Sequence, residues 1–283
     1  MPPRSHPTAR QARLGTELRR LREAAGLKAR EVAAFLNSTS TQMSQMEAGI
    51  AGVSPERIRR LAAHYACTDE ALIDALTAMA AERGHGWWDK YRGILPQINM
   101  DLAEAEHHAI SLREVAITYI PGLLQTPDYA RAVFRYMRPE LPENELDLRV
   151  EHRMKRRVVI EGDSPTPYEA VIHEFALRVR VAERRDSRGQ LGRVLDMIEQ
   201  GRVTVRVIPI DLDGFAGADG TMMYMAYPVP RLDTGLRDAP TGTVLIDGEP
   251  QLKRLRALFD KVKSASLAPD ASRDFVRRLA KEL

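Results

Sequence analysis

The run from residue 39 to residue 45 carries side chains whose hydrogen-bonding groups can recognise another molecule. A glutamine can bond adenine with both its donor and its acceptor, and serine or threonine hydroxyls can reach a phosphate or a base edge. Short polar side chains at the start of an exposed helix therefore suit contact with the major groove of double-stranded DNA. The candidate contact residues of this run are Thr39, Ser40, Thr41, Gln42 and Gln45. We expect Thr41 and Gln45 to make the contacts that matter most.

Capping of a helix competes with base contact as the role of Gln42. Thr39 is a suitable N-cap residue, and a glutamine three positions later completes the pattern of a capping box. Ser44 is more typical of a small residue in helix packing than of a base contact. The sequence leaves both roles of Gln42 open.

Basic residues are concentrated towards the N-terminus. Residues 1–66 hold eleven basic and five acidic side chains, a net charge of +6, whereas the whole chain carries +3 and the remainder therefore −3. This distribution is expected when only the first part of a protein approaches a polyanion. Arg19, Arg20 and Arg22 are better explained as a solvated helix face than as DNA contacts.

Hydrophobic periodicity predicts the elements that position these residues. Leu14, Leu18 and Leu21 recur at helical spacing, and Gly26 and Gly49 stop helices. Ser54, Pro55 and Glu56 form a typical helix start. Five short helices are predicted, at 11–25, 29–36, 40–48, from 54 onwards and from 68 to about 83. The tight turn between the second and third helices indicates an all-α helix-turn-helix bundle.

These residues resemble the repressor-type (XRE, or Cro-like) helix-turn-helix family. The resemblance is carried by Leu18 to Arg22, Glu31 to Ala33, and Thr39 to Gly49. It implies that the third helix enters the major groove and that the second helix holds a phosphate. The family usually opens its second helix with Thr-Gln, so here Lys28 or Arg30 would take the phosphate contact. Gln45 stands where the family usually has arginine, which implies weaker or more selective binding.

The helical pattern stops at the glycines near residues 83–86, which predicts domains at 1–84 and 85–283. Val203 to Val207 alternates as a strand with one solvated face should. Further strands are predicted at 112–120, 170–172, 221–227 and 243–246. Helices are predicted at 102–109, from 127, and at 142–161, 188–200, 250–266 and 270–283. The second domain is therefore predicted to be α+β with a small sheet.

Catalytic and metal-binding patterns are incomplete in this chain. His173 and Glu174 begin a zinc-protease motif, but Leu177 stands at the position of its second histidine. Cys67 is the single cysteine. The glycines and aspartates of 211–220 have the wrong spacing for an EF-hand and predict a connection between strands. We expect no cofactor, no metal and no enzymatic activity.

Neither a secretory signal nor a membrane helix is expected. Residues 1–13 lack the apolar core of a signal, and no stretch reaches about 20 apolar residues. The sequence thus predicts a cytoplasmic protein without a membrane partner.

A second resemblance covers about residues 87–283. It is carried by Trp87 to Tyr91, Tyr119 to Ala132, and Val205 to Pro209. These segments resemble an uncharacterised domain that follows a repressor-type helix-turn-helix in actinobacterial regulators of the WhiJ-like kind. The resemblance implies a developmental or antibiotic-related regulator, often encoded beside a small partner protein in an arrangement like toxin–antitoxin pairs. Residues 231–246 depart from the family, which usually has an exposed Tyr-x-Glu strand there.

The combined prediction is a transcriptional regulator that binds a pseudo-palindromic operator as a homodimer. Its C-terminal domain would respond to a partner protein or a ligand. Candidate residues for that response are Tyr119, Gln125, Tyr129 and His173, each of which is also explained by a satisfied role in the core. The rival hypotheses are an antitoxin-like module that neutralises a partner and regulates its own operon, and an enzyme with a DNA tether.

Overall fold

The protein is described by a computed structural model that covers residues 7–82, 86–215, 220–239 and 242–283. It divides into two compact units, Met1–Ala105 and Glu106–Leu283. This division lies later than the boundary predicted at 83–86, of which residues 83–85 lie outside the described residues. The backbone N–H of Ala9 donates to Asp101 Oδ1 at 3.0 Å, which ties residues beyond the predicted boundary to the first unit.

Five helices form the first unit before a connecting segment, as the sequence predicts. They are α1 (Ala9–Ala24), α2 (Ala29–Phe35), α3 (Ser40–Glu47), α4 (Pro55–His64) and α5 (Glu70–Ala81). Side chains of Thr8, Thr39, Ser54 and Asp69 cap the N-termini of α1, α3, α4 and α5. A short 3-10 turn (Trp87–Tyr91) and α6 (Gln97–His108) follow, and the division between the units falls inside α6.

A six-stranded mixed sheet organises the second unit. Its strands are β1 (Ser111–Ala116), β2 (Tyr168–His173), β3 (Thr204–Ile208), β4 (Met222–Ala226), β5 (Thr234–Ala239) and β6 (Gly242–Ile246). Their order is β3-β2-β1-β4-β5-β6; the first three are parallel, and β4, β5 and β6 are added antiparallel. Gly217 and Asp219 of the predicted loop before β4 lie outside the described residues.

Seven further helices belong to the described part of this unit. They are α7 (Pro127–Met137), α8 (Glu143–Arg156), α9 (Val158–Glu161), α10 (Glu174–Arg178), α11 (Arg184–Glu199), α12 (Glu249–Ala265) and α13 (Pro269–Glu282). The helix predicted at 142–161 is therefore two helices that meet at Arg157. Of the helices that the structure describes, none is both long and apolar enough to cross a membrane.

The sequence did not predict β5, which lies in a stretch rich in glycine, proline and aspartate. Gly235 lies close to α12 in this strand, and a Cβ there would require the side chain of Leu255, whose Cδ1 would be 2.3 Å away, to shift. Leu255, Leu252 and Phe259 of α12 pack on one face of the sheet against Val115 and its neighbours. The α+β architecture of the second unit confirms the predicted fold class.

Candidate nucleic-acid interface

The segment between α2 and α3 is a tight turn that sets the direction of α3. Asn37 adopts φ +49°, a left-handed conformation that asparagine tolerates better than most residues. The N–H of Ser38 donates to Ala33 O at 2.8 Å and closes the turn onto α2. The two helices and this turn form a helix-turn-helix.

A complete capping box fixes the N-terminus of α3. Thr39 Oγ1 accepts from Gln42 N at 3.1 Å, and Gln42 Oε1 accepts from Thr39 N at 3.3 Å. Ser38 Oγ also donates to Gln42 Oε1, at 2.7 Å. Gln42 therefore caps α3 in this structure, which is one of the two roles that the sequence left open.

Backbone contact fixes the other end of α3 against α1. A Cβ on Gly15 of α1 would lie 2.5 Å from Glu47 O, and one on Gly49 would lie 2.6 Å from Gln11 O. Gly49 also has φ +73°, which favours glycine. Met43 and Met46 fill the inner face of α3 and are buried. The only signal of this contact in the sequence is a glycine inside a helix, at position 15.

Arg22 is part of this packing and does not belong to a solvated face. It is buried, and its Nε and Nη2 donate to the carboxylate of Glu47 at 2.5 and 3.0 Å. Its Nη1 donates to Leu27 O at 2.8 Å. Hydrogen bonding to Glu47 raises the pKa of Arg22, and the paired charges hold the end of α3 on the last turn of α1. Arg19 and Arg20, by contrast, are more exposed and pair with Glu23 and Glu17.

The polar side chains on the outer face of α3 have no hydrogen-bonding partner within the described residues. Ser40, Thr41 and Ser44 are exposed, and Gln45 is half-buried. Within the described part of the chain, the side chains of these four residues form no hydrogen bond. Three of these four residues, Ser40, Thr41 and Gln45, are among the predicted DNA contacts.

Exposed basic residues occur on the two helices that precede and follow α3 in the sequence. Lys28 and Arg30, at the start of α2, are exposed and form no ion pair with any described residue. Lys28 N donates to Glu31 Oε2 at 2.8 Å, which fixes the backbone but leaves the ammonium group unpaired. Arg57, in the first turn of α4, is likewise exposed and unpaired among the described residues. Sequence reasoning did not single out Arg57, since exposure depends on the packing of α4.

Two of the predicted response residues, Gln125 and Tyr129, lie in the interior of the second unit. Gln125 is fully buried; its Nε2 donates to Ile120 O and its Oε1 accepts from Arg153 Nη1, both at 2.7 Å. Tyr129 is also buried, and its hydroxyl accepts from Ile120 N at 3.4 Å. Both side chains hold the backbone of Ile120.

Tyr119 and His173 remain partly exposed. Burial raises the pKa of Tyr119, and Asp238 raises it further. His173 Nδ1 accepts from Phe175 N at 3.1 Å, and its ring stacks on Phe215 with centroids 5.8 Å apart. Among the described residues, Tyr119 and His173 therefore share no hydrogen-bonding partner.

A buried polar cluster beside Gln125 was not predicted. Arg156 donates to both oxygens of Glu106, at 2.8 and 2.5 Å, and both residues are buried. Tyr168 donates its hydroxyl to Glu114 Oε2 at 2.5 Å, and burial raises the pKa of Glu114 to about 7. Burial and the nearby Arg156 lower the pKa of Arg153 to about 10. Its residues come from α6, β1, α8 and β2, so only the fold assembles the cluster.

Comparison with known proteins gives two family matches. A model described as a domain of unknown function (DUF5753) matches residues 100–278, and a helix-turn-helix domain model matches residues 13–76. The second match contains α2, the turn and α3. Neither the curated proteins nor the solved structures contain a match to the chain.

Proposed function

We propose that the chain, which belongs to the family of the domain of unknown function DUF5753, is a sequence-specific DNA-binding regulator of transcription. The observation that carries the proposal is the outer face of α3, where the side chains of Ser40, Thr41 and Gln45 have no hydrogen-bonding partner among the described residues. This helix is held at both ends and belongs to a matched helix-turn-helix domain. A rigid helix with unused polar groups suits readout of the major groove.

Phosphate contacts fall to the exposed cations. Lys28 and Arg30 can donate to the DNA backbone without first losing an ion pair, and Arg57 can do the same from α4. Such contacts fix register and orientation but carry no sequence information directly. Specificity then depends on Thr41 and Gln45.

The regulator acts as a homodimer on a pseudo-palindromic operator. A two-fold dimer places two recognition helices about 34 Å apart, the length of one turn of DNA. A single module of this size would bind weakly alone, so two half-sites supply the affinity.

The second unit receives the signal, from a small partner protein or a ligand, and has no catalytic role. Phe175 and Ile210 support a protein partner, because they follow the carboxyl ends of neighbouring strands and are 46% and 65% exposed. Glu174, which is buried and directly precedes Phe175, accepts from Ile210 N at 2.9 Å and from Arg178, which fixes both segments. The WhiJ-like resemblance and the antitoxin-like alternative both predict that a small protein copurifies with the chain from native cells.

A titration of the full chain tests DNA recognition. The duplex upstream of its own gene and a scrambled duplex are compared at two salt concentrations. We expect a preference for the upstream duplex that persists at the higher salt concentration. Equal and strongly salt-dependent binding to both would contradict sequence-specific recognition.

Variants then assign the contacts. Gln45→Ala should change discrimination between operator variants by about 1–3 kcal/mol if Gln45 reads a base. Lys28→Ala should weaken binding to both duplexes and lower the slope of log affinity against log salt by about 0.9. Lys253→Ala, an exposed lysine on α12, is the matched control and should leave that slope unchanged.

A further inference from the structure

The sheet of the second unit has two edge strands, β3 and β6, and within the described residues another segment of the chain bonds to the outer edge of β3. On β3, Val207 O accepts from Leu267 N at 2.9 Å, and Val207 N donates to Ser272 Oγ at 3.0 Å. Arg206 Nη1 also donates to Leu267 O at 3.3 Å. The segment that leads into α13 thus satisfies the outward backbone groups of Val207 and covers this part of the edge.

The outward edge of β6 has no such cover. Within the described ranges, the backbone groups of 242–246 are hydrogen-bonded to β5 alone. In an antiparallel pair, alternate residues of an edge strand direct N–H and C=O groups away from the neighbouring strand. These groups form a row that can pair with another strand.

The side chains of β6 do not protect this edge either. Proteins usually block an open edge with lysine, other charges or proline. The strand reads Gly-Thr-Val-Leu-Ile and contains none of these. Val244, at its centre, is 50% exposed, while Ile246 packs against the core beneath α12. The strand is therefore hydrogen-bonded to β5 along one edge, and its central side chain, Val244, is apolar and half exposed.

We propose that β6 pairs antiparallel with β6 of a second copy of the chain, about a two-fold axis, so that two six-stranded sheets join into one. The proposal rests on the homodimeric regulator proposed above and names its dimerisation surface. An antiparallel pair of identical strands is self-complementary, with Val244 opposite Val244 and Thr243 opposite Leu245. Because 242–246 is uncharged, no like charges meet across the axis.

The short strand limits the strength of this dimer. Stable interfaces bury about 1,200–2,000 Å² in total, more than two five-residue strands supply. We therefore expect a concentration-dependent equilibrium between monomer and dimer, which an operator with two half-sites shifts towards the dimer by raising the effective concentration.

Sedimentation equilibrium on the full chain tests the surface. Val244→Lys places two ammonium groups directly opposite each other across the axis, which destabilises paired strands. We expect the dimer dissociation constant to rise at least tenfold. Thr204→Lys, an exposed residue on the closed edge strand β3, is the matched control and should leave the constant unchanged.

Crosslinking gives a second readout that does not depend on a destabilising substitution. In a Cys67→Ser background, Val244→Cys should be joined into a covalent dimer by a short bifunctional maleimide, since directly opposite Cβ atoms lie about 4.5–5.5 Å apart. Thr204→Cys in the same background should not be joined.

Three outcomes overturn the proposal. They are a chain that stays monomeric even on the operator, a dimer unaffected by Val244→Lys and not crosslinked through Val244→Cys, and a monomer whose β6 instead binds a strand of another protein. DNA recognition is measured separately with the upstream and scrambled duplexes. If the unsubstituted chain prefers the upstream duplex but forms no dimer through β6, the dimerisation surface alone is refuted. If the chain is crosslinked through Val244→Cys but shows no preference between the duplexes, the proposed function alone is refuted.

Discussion

The polar residues of the two units differ in how their hydrogen-bonding groups are used. On the outer face of α3, Ser40 and Thr41 are exposed and form no side-chain hydrogen bond with a described residue. In the second unit, Gln125 and Arg156 are buried, and both are bonded to groups of the protein. Polar residues in a sequence therefore do not by themselves identify a binding surface. Substitutions in the first set should change binding, and those in the second should change stability.

The largest effect is expected from Arg156→Leu. It would leave the carboxylate of Glu106 buried without its cation, and breaking a buried pair in this way costs about 3–5 kcal/mol. Urea denaturation, with hydrogen exchange of β1 as a local readout, measures the loss. The double variant Glu106→Leu/Arg156→Leu should recover much of it, because no uncompensated charge remains. Unchanged stability of Arg156→Leu would show that this buried ion pair does not stabilise the second unit.

Glu114 should make the stability of the second unit depend on pH. Burial raises the pKa of its carboxyl group in the folded protein from 4.5 to about 7, so the folded state holds a proton that the unfolded state has released. Stability should therefore fall as pH rises from about 4.5 to about 7, by up to about 3 kcal/mol, and change little above that. Denaturation midpoints at pH 5 and pH 8 test this, and Glu114→Gln should remove most of the difference. An equal fall in both proteins would assign it to another group.

Gly15→Ala should destabilise the first unit, because its Cβ would collide with the backbone after α3. Overpacking of this kind costs about 1–3 kcal/mol. Both tryptophans, Trp87 and Trp88, lie in this unit, so their fluorescence follows its unfolding. Gly189→Ala in α11, where no atom lies within 4 Å of the added Cβ, is the control: it should leave the tryptophan transition of the first unit unchanged and stabilise the second unit by about 0.5–1 kcal/mol, as measured by circular dichroism.

The smallest effect on stability is expected from Thr41→Ala, at most about 0.5 kcal/mol, because the side chain is exposed and unbonded among the described residues. The same substitution at Thr39 removes the cap of α3 and should cost about 0.5–2 kcal/mol. Thermal denaturation separates the two. Equal losses would show that Thr41 has a structural role.

Much of the first unit could be predicted from local signals. Thr39, Ser54 and Gly49 mark helix ends within a few residues, and the inner faces follow from the spacing of residues such as Met43 and Met46. Such signals act over one helical turn, so the sequence contains them directly.

The second unit was harder to predict because its contacts are distant in the chain. Glu106 and Arg156 are fifty positions apart, and Gly235 lies in a strand between Tyr224 of β4 and Ile246 of β6. Neither has a periodic signal. Gln125 and Tyr129 looked like candidates for a response site because a pattern cannot distinguish an exposed polar residue from one that bonds a buried backbone.

The cap of α3 has a consequence for the bases that Gln42 can recognise. Its amide oxygen already accepts two hydrogen bonds, from Ser38 Oγ and Thr39 N, which occupy both lone pairs. Only the NH₂ group remains, so Gln42 can act as a donor alone. Two-point pairing with adenine needs an acceptor as well and is excluded in this arrangement, whereas N7 of either purine, O6 of guanine and O4 of thymine remain suitable. An operator contacted by Gln42 should thus present one of these acceptors, without the preference for adenine that two-point pairing would give.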